Sequence, residues 1–107
     1  MQKIIFVFIL LSAHLIFANS IYADIVKVVS YPSGCDYFIA NGNHGYCLLK
    51  WHEGYMPCLD DVIIGDMSSS GFKDAYYPLK NREGQIYVED YSVSKSRSIE
   101  HYKEHCD

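Results

Sequence analysis

Apolar and polar positions change rhythm twice along this chain. Residues 4–11 read Ile-Ile-Phe-Val-Phe-Ile-Leu-Leu without a break, behind a single cation at Lys3. From Asp24 onward the apolar positions fall into short β-rich runs separated by turn residues, and near the C-terminus the spacing becomes helical. Ile25–Tyr31 is β-branched and apolar, and Pro32-Ser33-Gly34 stops it, which predicts a first strand. Asp36–Ala40 and Tyr46–Trp51 flank Asn41-Gly42-Asn43-His44-Gly45 and predict a hairpin across that loop. Pairing Ala40 with Tyr46 sets Phe38 opposite Leu48 and Asp36 opposite Lys50, and on the other face Tyr37 opposite Leu49 and Cys35 opposite Trp51. This register is preferred because it gives one wholly apolar row and one closed by an ion pair.

Asp61–Asp66 predicts a fourth strand, followed by the loop Ser68-Ser69-Ser70-Gly71. Phe72–Leu79 and Gln85–Val93 predict a second hairpin across Lys80-Asn81-Arg82-Glu83-Gly84. Ile99, Tyr102 and Cys106 then recur at helical spacing, with Ser94 or Ser96 as N-cap. No repeat, linker or low-complexity segment interrupts the pattern. The expected fold is mainly β: a small six-stranded SH3-like or OB-like barrel with a short C-terminal helix, a compact sandwich being the alternative.

The opening apolar run, broken by Ser12 and His14, falls short of the roughly 18 to 20 residues of a spanning helix. It has the form of a secretory signal peptide over residues 1–23, with cleavage favoured after Ala23. Residues 24–107 are then expected to form one small β-barrel domain, periplasmic or secreted. No cysteine lies near the cleavage point to take a lipid, so no membrane anchor is expected after cleavage, and a monomer is expected. All 4 cysteines fall after the leader. An even count in a small exported domain predicts two disulfides. The hairpin register separates Cys35 from Cys47 along the strands. Of the two remaining connectivities we favour Cys35 with Cys106 and Cys47 with Cys58. No Cys-x-x-Cys spacing suggests a redox role.

The segments Cys35-Asp36-Tyr37-Phe38-Ile39-Ala40, Gly45-Tyr46-Cys47-Leu48-Leu49-Lys50-Trp51, Ile64-Gly65-Asp66, Gly71-Phe72-Lys73 and Val88-Glu89-Asp90-Tyr91-Ser92-Val93-Ser94, followed by a cysteine-ended helix, resemble a group of small exported bacterial proteins of unassigned function. The resemblance covers most of the chain after the leader. It implies a bacterial periplasmic or secreted setting and carries over no catalytic residue.

Candidate chemistry is sparse. The net charge of −4, with scattered Lys and Arg, speaks against a nucleic-acid partner. His101 and His105 share i, i+4 spacing, and His52 with Met56 could suit copper, but neither pair makes a complete site. A solvated helix face accounts for the first pair, so no metal or cofactor is expected. Glu89 and Asp90 are strand neighbours pointing to opposite faces, and can share a site only across a bulge. Asp60-Asp61 reads as turn formation. A Ser-His-Asp arrangement from Ser68–Ser70 and His44 has nothing to set its geometry. The unusual feature is the aromatic content, 15% of residues with 10 tyrosines. Exposed tyrosine and tryptophan favour contact with a sugar or protein. The leading expectation is therefore a non-enzymatic binding module for a protein or glycan partner, through Trp51, Tyr55, Tyr77 and Tyr91. The alternatives are an inhibitor or immunity-type protein that blocks a hydrolase with the Trp51–Cys58 loop, and a small hydrolase using Glu89 or Asp90.

Overall fold

The computed structural model describes residues 23–32 and 34–106. The expected signal peptide, Ala23 apart, lies outside the described residues. Strands β1 (Asp24–Ser30), β2 (Tyr37–Gly42), β3 (Gly45–Gly54), β4 (Val62–Gly65), β5 (Gly71–Tyr77) and β6 (Arg82–Val93) are followed by one helix, α1 (Lys95–Cys106). The strands close into an antiparallel barrel in the order β1-β2-β3-β6-β5-β4. Strand alternation decides its interior. Val26 and Val28, Phe38 and Ala40, Cys47 and Leu49, Ile63, Ala75 and Tyr77, and Ile86 and Val88 all point inward into one cluster. Among the described residues no helix is long and apolar enough to cross a membrane.

The β2–β3 hairpin forms, in a register one residue away from the expected one. Tyr37 lies opposite Lys50, Phe38 opposite Leu49 and Ala40 opposite Cys47, and Gly42 pairs with Gly45. The turn is thus only Asn43-His44, and Gly45 takes a φ of 121° that a side chain would resist. The apolar character of Leu48 and Leu49 hid the slip, because either can serve as an inward residue. A one-residue shift exchanges the two faces of β3. Leu49 is accordingly in the core, while Leu48 pairs with Ile39 on the outer wall.

The second hairpin turns earlier than expected. Tyr77 pairs with Arg82, so the loop is Pro78-Leu79-Lys80-Asn81. Pro78 lacks the N–H needed to continue the ladder, and Asn81 adopts the left-handed conformation, φ 50°.

Helix α1 packs on β2, β3 and β6 from outside. Ser94 caps it, its Oγ accepting the Arg97 N–H at 3.2 Å. Ser98 is fully buried and Ile99 is 37% exposed, so the buried stripe is rotated from the expected one. A small residue at position 98 suits close approach of helix to sheet, over the outward-facing Ile39 and Leu48, which are both buried. The Cys35–Cys106 disulfide forms and ties the end of α1 to the start of β2, with Cα atoms 5.8 Å apart.

The second expected bridge does not form, and Cys47 and Cys58 are free thiols. Cys47 lies near the start of β3 and faces the core, while Cys58 is exposed on the loop beyond the strand's far end. That loop is held instead by Asp61, whose Oδ2 accepts the Cys58 backbone N–H at 2.8 Å.

Candidate functional site

The corrected register draws one line of side chains across the outside of the barrel. Tyr37 on β2 pairs with Lys50 on β3, Lys50 with Tyr87 on β6, and Tyr87 with Phe72 on β5. His52, two residues on along β3, and Glu89, two residues on along β6, flank that row. Together the six line a shallow recess of about 490 Å³, within the size range of small-ligand sites.

The contacts inside the recess are between rings and charges. The Phe72 ring stands edge-on to Tyr87 at 4.9 Å and meets His52 at 4.7 Å. Phe72, the second residue of β5, is nevertheless 61% exposed. The Lys50 ammonium lies over the Tyr37 ring, 5.5 Å from its centre. This places a cation on an aromatic face. Burial, followed by the neighbouring Glu89 carboxylate and Tyr87, raises the Tyr37 phenol above its ordinary value.

Behind the recess lies the seam between α1 and the barrel. His105 stacks on Tyr37 at 4.5 Å and its Nε2 lies 3.2 Å from the Glu89 carboxylate. One turn earlier, His101 Nδ1 pairs with Asp90. The expected solvated histidine face is therefore turned toward the sheet. Its reach depends on a bulge: Leu49 pairs with Val88 and Leu48 with Asp90, so Glu89 is the extra residue on β6. A regular strand would send Glu89 and Asp90 to opposite faces, and the bulge lets both meet the helix. Among the described residues no group of three or more His, Cys, Asp or Glu side chains converges as a metal site.

The residues expected to bind do not share a face. Tyr77 is completely buried. Trp51 and Tyr55 are half-buried and pack against the core. Trp51 Nε1 donates to the Gly54 carbonyl at 3.3 Å. Gly54 and Gly84 pair there because any Cβ on Gly54 would lie 2.6 Å from the Gly84 Cα. The Tyr55 hydroxyl donates to Asp61 Oδ2 at 2.8 Å. Burial and this carboxylate push the Tyr55 phenol well above its ordinary value, and burial does the same to Tyr77. Tyr91 is 38% exposed at a barrel mouth of about 260 Å³ that Asp24, His44, Cys47 and Ser68 also line.

That mouth gathers His44, Ser68 and Asp24, the residue types of a Ser-His-Asp arrangement. His44 Nε2 is 3.8 Å from Asp24, but Ser68 Oγ is hydrogen-bonded to Asp66. Burial pushes the Cys47 thiol up to about 11, the opposite of what activates a nucleophile. Asp60 and Asp61 take separate roles. Asp60 turns the chain at a φ of 71°, and Asp61, 3% exposed, anchors the loop before β4.

Sequence reasoning missed Tyr37, Lys50, Tyr87 and Phe72 as a set. The signal was available in the strand alternation, but the row is straight only in the correct register, where Tyr37 rather than Asp36 faces Lys50. No family model, curated protein or solved structure matches this chain.

Proposed function

We propose that this domain is a non-enzymatic exported binding module, and that its contact face is the outer row Tyr37–Lys50–Tyr87–Phe72 with His52 and Glu89 beside it. The observation that carries this reading is Phe72. A phenylalanine left 61% exposed near the start of β5, flanked by two further rings, contributes little to the fold. Such clusters, here Phe72 exposed with Tyr37 and Tyr87 half-buried, favour recognition of a partner. The lining residues belong to strands paired within the barrel, so a ligand meets little backbone ordering cost.

The Cys35–Cys106 bridge supports the exported setting, since structural disulfides persist in oxidising compartments. The test compares the wild-type chain from Asp24 onward with Phe72→Ala/Tyr87→Ala. Wild type is expected to co-sediment with envelope material of its source cells and the double variant to stay in the supernatant, with matching thermal melts. Equal sedimentation of the two proteins would remove this face from the reading.

A further inference from the structure

The proposed face carries an uneven set of charges, and that unevenness points to the chemistry of what it holds. The chain as a whole is acidic, at −4, yet the free charge in the recess has the opposite sign. Glu89 faces His105 at 3.2 Å and neighbours the Tyr37 phenol, which its charge helps to push up. Lys50 meets the ring of Tyr37, and among the described residues it has no carboxylate partner. His52 touches Phe72 through its ring. Both Lys50 and His52 are exposed. Among the described residues the recess therefore presents a cation and an imidazole without acidic partners beside an aromatic wall, while its one carboxylate is turned to His105.

Strand pairing narrows the ligand further. β3 is hydrogen-bonded to β2 and β6, and β6 to β3 and β5. β3 and β6 therefore have no free backbone edge on which a peptide could add as a further strand, whereas β5 at Phe72 pairs with β6 alone. The side chains of the recess offer ring faces, an ammonium, an imidazole and the Tyr37 and Tyr87 hydroxyls. A pyranose ring that bears a carboxylate answers all of these. Its C–H face lies on Phe72 or Tyr87, its carboxylate meets Lys50 and His52, and its hydroxyls meet the phenols.

Resting on the binding-module reading, we infer that the recess is a site for an acidic glycan of the uronate type. Lys50 and His52 select its carboxylate, and Phe72 and Tyr87 hold the sugar ring. Charge selection of this kind is short-ranged here, because the acidic remainder of the surface repels anions at a distance, and it weakens as salt screens it.

The experiment is calorimetric titration of the chain from Asp24 onward with a galacturonate tetrasaccharide, its methyl-esterified counterpart and a tetraglutamate peptide. The galacturonate is expected to bind, the ester to bind at least about tenfold more weakly, and the peptide not to bind. Loss of one charge-assisted contact is of that order. Lys50→Gln/His52→Gln should lower the galacturonate affinity about tenfold or more and leave the thermal melt unchanged, since both side chains are exposed. Raised NaCl should weaken wild-type binding and leave the residual binding of that double variant nearly untouched. Equal binding of ester and acid would overturn the anionic selection, and binding of the peptide alone would overturn the glycan. Absence of all three interactions while Phe72→Ala/Tyr87→Ala still abolishes envelope sedimentation would overturn this inference and leave the binding-module reading standing. If the Phe72 variant binds galacturonate as wild type does, the sugar is held elsewhere and the siting falls.

Discussion

The sealed end of the barrel and its outer face use the same kind of residue to opposite effect. At the sealed end Tyr55 and Tyr77 meet at 4.8 Å, and the Tyr55 hydroxyl is tied to Asp61. Asp61 also holds the Cys58 amide and faces Lys80 at 3.6 Å, so one buried carboxylate gathers a loop, a strand end and a turn. On the outer face Tyr37, Tyr87 and Phe72 touch each other's neighbours and close nothing off. Aromatic content alone therefore cannot mark a binding surface. What separates the two regions is whether each ring's apolar body is buried within the fold.

The comparison breaks most sharply at Tyr77. Its ring fills the core with no exposure, so Tyr77→Ala should cost about 3 to 5 kcal/mol, the range for deleting a buried aromatic side chain. In a domain of this size that is a large share of total stability. Chemical denaturation is expected to show a midpoint moved well down at unchanged slope. A loss below about 1 kcal/mol would mean that the sealed end is not packed as described.

Phe72→Ala is the opposite case. With the ring mostly in solvent, only its edge contact with Tyr87 and its contact with His52 are lost, and a cross-strand pair of this kind contributes under about 1 kcal/mol. The same denaturation measurement should scarcely move, while retention on envelope material falls. A stability loss approaching that of Tyr77→Ala would make Phe72 a structural residue and erase the distinction between the regions.

How far this division could be read in the sequence depends on a few residues. The strand runs and the helical tail were legible, because β-branched alternation and turn residues report local structure directly. So was the Cys35–Cys106 bridge, since it joins the first predicted hairpin to the end of that tail. The outer row was not legible, because Leu48 and Leu49 are interchangeable by hydrophobicity and only the Asn43-His44 turn decides between them. The histidine seam was hidden for a related reason. Glu89 reaches His105 through a bulge in β6, and a bulge depends on how two distant strands close a barrel. Tyr77 and Tyr87 carry no local mark that one is core and the other surface, since both lie in alternating strands and only the closed barrel gives each face its side.

The smallest expected effect gives the finest test of that difference. Among the described residues the buried Tyr77 hydroxyl has no hydrogen-bond partner, unlike the Tyr55 hydroxyl, which has Asp61. An unpaired buried hydroxyl is a cost to the folded state, because the unfolded chain hydrates it. Tyr77→Phe removes that cost and keeps the ring, so the variant should be more stable than wild type by about 1 kcal/mol. Tyr55→Phe leaves Asp61 short of a donor and should be less stable by a similar amount. Equilibrium denaturation of the two variants side by side reads the difference directly. If Tyr77→Phe is instead destabilised as Tyr55→Phe is, an ordered water satisfies the hydroxyl, and the sealed end is a hydrated polar network rather than an apolar plug.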